Sequence, residues 1–316
     1  MVYKLDGGTV IDADGNLNIE NIYTAEFLPT LTNGGSVSGY SSGGSPVQPG
    51  ANTTNLIDKF PFATDTNASD VADLTAGRYG GAGCSSVSNG YTAGGYLSSD
   101  VIDKFPFAVD ANATDVGNLL SGGRGCAGSS SPTHGYSTAG SGVDIQKFSF
   151  SVDGNATDVG DLTQGRTYKP GISSSDHGYV SGGYSPAQNT IDKYPFATDT
   201  NATDVGDLTV ARYGSGGQNS STHGYTSGGY PSPYNIIDKF PFSTDTNATD
   251  VGDLSQGRGY IAPQSSTSDG YNSGGGTTPP FTPVNTIGKF TFSTDANATD
   301  VGDLSQARRE AIGQQV

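Results

Sequence analysis

The chain has no tryptophan, one methionine and three histidines, and its two cysteines, Cys84 and Cys126, do not form a CxxC. So few thiols imply neither a disulfide framework nor a thiolate metal site. Basic residues are scarce as well: 15 Lys+Arg against 31 Asp+Glu leave a net charge of −16. Phosphate binding needs a basic surface that releases counterions, so nucleic acid is not an expected partner, and an anionic membrane surface is disfavoured for the same reason. No run approaches the roughly 18 apolar residues of a membrane span, so membrane insertion is not expected. The leading MVYKLDGGTVIDADGNLNIENI lacks the basic and apolar regions of a secretory signal. Helix-period patterning is missing throughout.

What the chain does have is glycine, aromatics and strict periodicity. The 48 Gly and 16 Pro accompany 17 Tyr and 13 Phe, which a disordered chain would not carry in register. Residues 36–316 are six copies of one repeat of about 46 residues, the signature of an array or a propeller. Three anchors recur. A Lys opens a K-[FY]-x-F run at Lys59, Lys104, Lys147, Lys193, Lys239 and Lys289. An Arg follows a D-L or similar pair at Arg78, Arg124, Arg166, Arg212, Arg258 and Arg308. A Gly-Tyr dipeptide begins at Gly39, Gly90, Gly135, Gly178, Gly224 and Gly270, followed in most copies by a glycine pair. Each copy holds four strand-like runs, for example RYGGAGCSS, GYTAGGY, VIDKFPF and DVGDL. Four short strands per 40–50 residues describe a propeller blade.

The order of these parts resembles the kelch repeat, with GYTSGGY at 224–230, IDKFPF at 237–242 and Arg258 in the family's sequence. The resemblance covers about nine tenths of the chain. It implies an all-β, six-bladed kelch-like β-propeller with a short N-terminal arm at 1–35, and it implies that the recurring Arg is structural. Two features depart from it. The family's fourth-strand Trp is missing, its space left to Val and Leu of DVGDL, and the glycine doublet is Ala139-Gly140 in one copy. Aligning Arg308 on Arg258 and Gly39 on Gly270 makes the C-terminus stop where the repeat resumes at Ser36. RREAIGQQV is therefore expected to supply the first strand of the blade built from residues 36–75, closing a ring and removing exposed strand edges.

Lys to Arg is 19 residues in five copies and 20 in one, whereas Gly of Gly-Tyr to Lys ranges from 12 to 20. The length variation thus lies between the second and third strands. The resemblance places those loops on one face near the central channel, and loops on a rigid scaffold often carry binding. Tyr96, Asp100, Tyr184, Gln188, Tyr230, Tyr234, Pro279 and Phe281 lie in them and are the candidate ligand-contacting residues.

Other motifs have a plainer reading beside a functional one. D-x-N-A-T-D-x-x-D, as at Asp65, Asn67, Asp70 and Asp73, is similar to a calcium loop, but lacks the glycine and the acidic twelfth residue of an EF-hand. A hairpin turn in which Asn and Asp bond their own backbone is the simpler expectation; no cofactor is expected, Ca2+ being the alternative at this motif. Six N-A-[ST] sequons, at Asn67, Asn112, Asn155, Asn201, Asn247 and Asn297, read as that turn copied six times. His134, His177 and His223 precede Gly-Tyr at equivalent positions, which on separate blades is a polar turn rather than a metal triad. The copper oxidases among kelch propellers use Tyr, His and a Tyr–Cys crosslink; no such constellation and no G-x-S-x-G elbow is evident, so no catalytic or metal residue is expected.

The leader VYKLDGGTVIDADGNLNIENI resembles that of bacteriophage tail and other virion proteins, where an N-terminal segment docks on the particle. The expectation is a tail-fibre or surface protein of the virion, held to other virion proteins through residues 1–35 and displaying its loops to a host-surface glycan or receptor. The alternatives are a secreted kelch-type enzyme (copper oxidase or glycan-active) and a stand-alone carbohydrate-binding lectin.

Overall fold

The computed structural model of the chain describes residues 34–47, 52–96, 100–277 and 281–316. The compact unit that holds them is Leu31–Val316. Apart from Gly34 and Gly35, the expected arm lies outside the described residues, as does Pro279.

Every described strand belongs to one of six antiparallel four-stranded sheets. Five are continuous in sequence: β4–β7 (Ala82–Ser85, Asn89–Ala93, Val101–Pro106, Thr114–Asn118), β8–β11 (Ala127–Ser130, His134–Thr138, Asp144–Ser149, Thr157–Asp161), β12–β15 (Gly171–Ser173, His177–Ser181, Thr190–Pro195, Thr203–Asp207), β16–β19 (Gly216–Asn219, His223–Ser227, Ile236–Pro241, Thr249–Asp253) and β20–β23 (Ala262–Ser265, Asp269–Ser273, Thr286–Thr291, Thr299–Asp303). The sixth joins β1 (Ser38–Ser42), β2 (Leu56–Pro61) and β3 (Ser69–Asp73) to β24 (Ile312–Gln315) from the far end of the chain. Tyr40 faces Gln314 and Ser42 faces Ile312 across that seam. The chain is a six-bladed β-propeller closed by its last strand. Blade 1 is the one with the seam, and blades 2 to 6 follow in sequence.

The repeat is best understood at the joints between blades, because each copy writes the same joint. In each, Tyr of Gly-Tyr, Ile of the third strand and Leu of D-V-x-[DN]-L pack against two aromatic residues and the Ala of N-A-[ST] from the next blade. Tyr91, Ile102 and Leu119 meet Phe148, Ala156 and Phe150, and the series ends with Tyr271, Ile287 and Leu304 of blade 6 against Phe60, Phe62 and Ala68 of blade 1. Burying such side chains contributes roughly 1.5–3 kcal/mol each. Tyr91 stacks on Phe150 with centroids 4.8 Å apart, and the same pair recurs as Tyr225–Phe292. The glycine before each Tyr is required for a local reason. Gly90 pairs with Phe105 across β5–β6, and the Phe ring lies where a Cβ at Gly90 would sit. No Trp is needed, since Leu and Val of the fourth strand occupy the joint.

Polar contacts repeat with the same order. Lys104 donates to Asp153 at 2.6 Å on the next blade, and Lys289 donates to Asp65 at 2.5 Å, carrying the series across the seam. Asn of N-A-T also spans the joint: Asn112 Oδ1 accepts the Asp73 N–H at 3.0 Å, and Asn67 accepts that of Asp303 at 3.1 Å. This corrects the expected turn. The second Asp does bond locally, Asp115 accepting the Gly117 N–H at 3.1 Å, but Asn bonds the neighbouring blade. Asp65 and Asn67 of the calcium-like spacing are therefore each committed to a joint. Among the described residues no group of three or more His, Cys, Asp or Glu is disposed to hold a metal.

The inner strands touch backbone to backbone. A Cβ on Gly83 would overlap the Gly313 carbonyl, one on Gly128 that of Gly83, and one on Gly313 that of Pro263. These glycines set how closely six blades crowd the axis.

Candidate recognition face

Five of the six recurring arginines are buried inside their blades. Arg78, Arg166, Arg212 and Arg308 pair with Asp103, Asp192, Asp238 and Asp58 of the third strand, at 3.0 Å for the second and third pairs and 3.1 Å for the last. The same Asp accepts from the linker that leads into the blade: Thr209 donates its N–H at 2.9 Å and its hydroxyl at 2.7 Å to Asp238. A guanidinium N–H of Arg212 also donates to the Thr226 carbonyl at 2.8 Å. The arginine staples the inner linker to the middle of the blade. Burial lowers the pKa of Arg212, and Asp238 acts against that lowering.

Arg124 is not one of these staples. Its copy is the one with 20 residues between Lys and Arg, so Gly123 takes the staple position and Arg124 the place held by Tyr79 in blade 2. The Asp is lost along with the Arg. Its place is taken by Gln146, whose Oε1 accepts from the Leu120 N–H at 2.6 Å and whose amide donates to the Ser121 carbonyl at 2.6 Å. The irregular spacing was the signal for this shift.

Antiparallel order brings the loops between second and third strands to the same face as the linkers into each inner strand. Isolated bridges join them, Thr167 with Tyr184 and Tyr213 with Tyr230. On that face six linker residues form a closed head-to-tail ring of backbone hydrogen bonds. Gly80 donates to Glu310, Gly125 to Gly80, Tyr168 to Gly125, Gly214 to Tyr168, Tyr260 to Gly214 and Glu310 to Tyr260, at 2.5–3.1 Å. All six have φ between 54° and 79°. Glycine takes this left-handed conformation freely; Tyr168, Tyr260 and Glu310 do so at a cost of about 1–3 kcal/mol each.

Those three side chains anchor a polar and aromatic cluster. Arg124 donates to Glu310 through two hydrogen bonds of 2.8 and 2.5 Å. Its guanidinium lies over Tyr79 and Tyr168, 4.8 and 5.1 Å from the ring centroids, while Arg309 lies over Tyr260 at 5.5 Å. Burial works to lower the Arg124 pKa, but the Glu310 carboxylate outweighs it and the net shift is upward. Around this centre Tyr168 meets Tyr260 at 5.2 Å and Tyr213 at 6.3 Å, and Tyr230 meets Tyr260 at 5.0 Å.

The candidate contact residues divide between surface and support. Tyr96 is 41% exposed and stacks on buried Tyr79 at 4.9 Å; Tyr184 is 48% exposed and packs on Tyr213 at 4.8 Å. Asp100 is exposed immediately before β6. Phe281 is half-buried at φ 62°, edge-on to Tyr230. Gln188 and Tyr234 are partly buried, and their backbones brace the loops: Gln188 N–H donates to Gly183 and Tyr234 N–H to Gly229, each at 2.9 Å. Tyr230 is wholly buried, its hydroxyl donating to the Gly276 and Thr277 carbonyls, so it supports the face without forming it. The loop reading missed Tyr79, Tyr168, Tyr213 and Tyr260, which sit just after the arginine anchor.

The remaining reactive residues lie elsewhere. His134, His177 and His223 begin the second strands at the opposite face, where His134 and His223 contact the neighbouring Thr hydroxyls at 2.8 Å. Cys84 is buried and its thiol is pushed up to about 12 by that burial.

No protein-family model and no curated protein matches this chain.

Proposed function

We propose that the chain is a virion structural protein of the tail-fibre or surface type, whose kelch-like propeller presents its tyrosine-rich face to a host-surface glycan or receptor. Residues 1–35 would attach it to other virion proteins. The observation that carries the recognition reading is the pair of exposed tyrosine rings, Tyr96 and Tyr184, the first stacked on Tyr79 and the second packed at a tilt on Tyr213, in loops whose lengths differ from blade to blade. Tyrosine offers large contact area at small entropic cost together with a hydroxyl for hydrogen bonding. Rings of this kind suit the C–H faces of sugar rings. With a net charge of −16 the chain favours a neutral glycan over an anionic one.

Binding to an array of neutral and sialylated glycans tests this reading. Tyr184→Ala and Tyr96→Ala are expected to weaken a neutral-glycan signal at least tenfold while leaving the melting temperature within about 2 °C, since exposed substitutions change stability by only about ±0.5 kcal/mol. Unchanged binding in both variants would show that the face is idle. Mass spectrometry of purified particles tests the location, and absence of the chain from them removes the virion reading.

A further inference from the structure

Blade 6 keeps the arginine of the staple but not its acid. Gly288 stands where the other stapled blades place Asp58, Asp103, Asp192 and Asp238. The donors that serve that carboxylate are all retained. Arg258 is 1% exposed and donates to the Asn272 carbonyl at 2.9 Å; its Nε and Nη1 lack partners just as those of Arg212 and Arg308 do, but its Nη2 has no carboxylate such as Asp238 or Asp58. Ser255 occupies the place of Thr209, and Ser305 shows that serine suffices there, donating its N–H at 2.8 Å and its hydroxyl at 2.6 Å to Asp58. At Gly288 the Arg258 guanidinium itself borders the place of the missing side chain. The nearest atom to an added Cβ is Arg258 Nη2 at 3.1 Å, followed by two backbone oxygens at 3.9 Å.

Asp300 is no substitute for the missing acid. It attracts Arg258 from a distance, but Asp250 does the same for Arg212, which has Asp238 in addition. Blade 3 supplies an internal comparison, since Gly123 and Gln146 there remove both charges together. Blade 6 alone retains a buried cation while dropping the anion.

We infer that the space beside Gly288 in blade 6 is a binding site for a small monovalent anion, a halide or a formate-sized carboxylate, held by Arg258 and by the N–H and hydroxyl of Ser255. The anion does for blade 6 what a side-chain carboxylate does for the other stapled blades. Burial without a carboxylate lowers the Arg258 pKa to about 10, consistent with a site that favours an incoming negative charge. Ser255 itself is exposed.

The test uses the whole chain. Melting temperature is followed against sodium chloride and sodium formate at constant ionic strength, with sodium gluconate, whose anion is too large for the site, as the balancing salt. Wild type is expected to gain about 3–6 °C as either ion saturates the site. Gly288→Asp and the neutral Gly288→Asn, which both fill the space, are expected to lose that gain, and Gly288→Asp to melt higher than wild type without added chloride. Crystals grown in bromide are expected to show an anomalous peak within hydrogen-bonding distance of Arg258. An anion response equal in wild type and both variants, or neither bromide nor formate at Arg258 in wild-type crystals grown with each, overturns the assignment. A response to formate without chloride, or the reverse, identifies which of the two anions the site takes.

Discussion

Removing a single charge from a staple tests whether these buried pairs hold the blades or merely sit in them. Asp238→Asn keeps the shape of the side chain and an oxygen able to accept from Thr209, but leaves Arg212, 0% exposed, without its counter-charge. Breaking a buried ion pair by removing one partner costs about 3–5 kcal/mol, because the remaining charge stays desolvated. For a domain of this size each kcal/mol shifts the melting temperature by about 2–4 °C. Asp238→Asn should therefore melt about 10 °C below wild type in a low-chloride buffer at neutral pH. The companion Arg212→Met removes the cation, and the double variant removes both charges, as blade 3 does naturally. The double variant is expected to recover at least half of the loss of Asp238→Asn. Differential scanning calorimetry reads all three. A shift below about 2 °C for Asp238→Asn, or a double variant that loses the sum of the single losses, would refute the account of the staple as an electrostatic lock.

Lys169 gives a pH signature. It is buried beside Cys126 and Arg166, donates to the Ala139 carbonyl at 2.5 Å, and burial lowers its pKa to about 7. The unfolded chain then binds more protons than the folded one above pH 7, so stability should rise from about pH 7 to pH 8.5, by at most about 1.4 kcal/mol per pH unit, above which the buried Cys84 and Cys126 thiols, both with raised pKa, act in the opposite sense; Lys169→Met should flatten the rise, and an unchanged slope in urea titrations would contradict the assignment. Gly313→Ala should cost more than about 2 kcal/mol, because its Cβ would overlap the Pro263 carbonyl, whereas Gly154→Ala, with nothing within 4 Å, should be nearly neutral in the same denaturation assay.

The blade count, the strand order within each blade and the closing strand were all legible, because period and phase are carried by residues whose spacing hardly varies. Partners across joints were not. With Asn67 and Asn112 in closely similar phrases, local sequence cannot say whether an amide bonds its own turn or the preceding blade's Asp, since both offer the same N–H. The shifted register at Arg124 was written in its 20-residue spacing, yet residue type alone made it look like a sixth staple. Half of the aromatic face stayed hidden for the opposite reason. Tyr168, Tyr213 and Tyr260 lie in the regular part of the repeat, and only the three-dimensional meeting of linker and loop brings them to Tyr184 and Phe281. Burial of Tyr230 likewise depends on the Gly276 and Thr277 carbonyls of the next blade.

The seam in blade 1 also has a history in time. Ser42 donates to the Ile312 carbonyl, a contact that spans 270 residues. At about 5–20 residues per second of synthesis, β1 waits roughly a quarter of a minute to a minute with one flank bare while five blades are completed behind it. A waiting edge invites the wrong neighbour. Its sequence, SGYSS, carries four small residues and one aromatic, a strand with little to offer a stray partner before its own arrives.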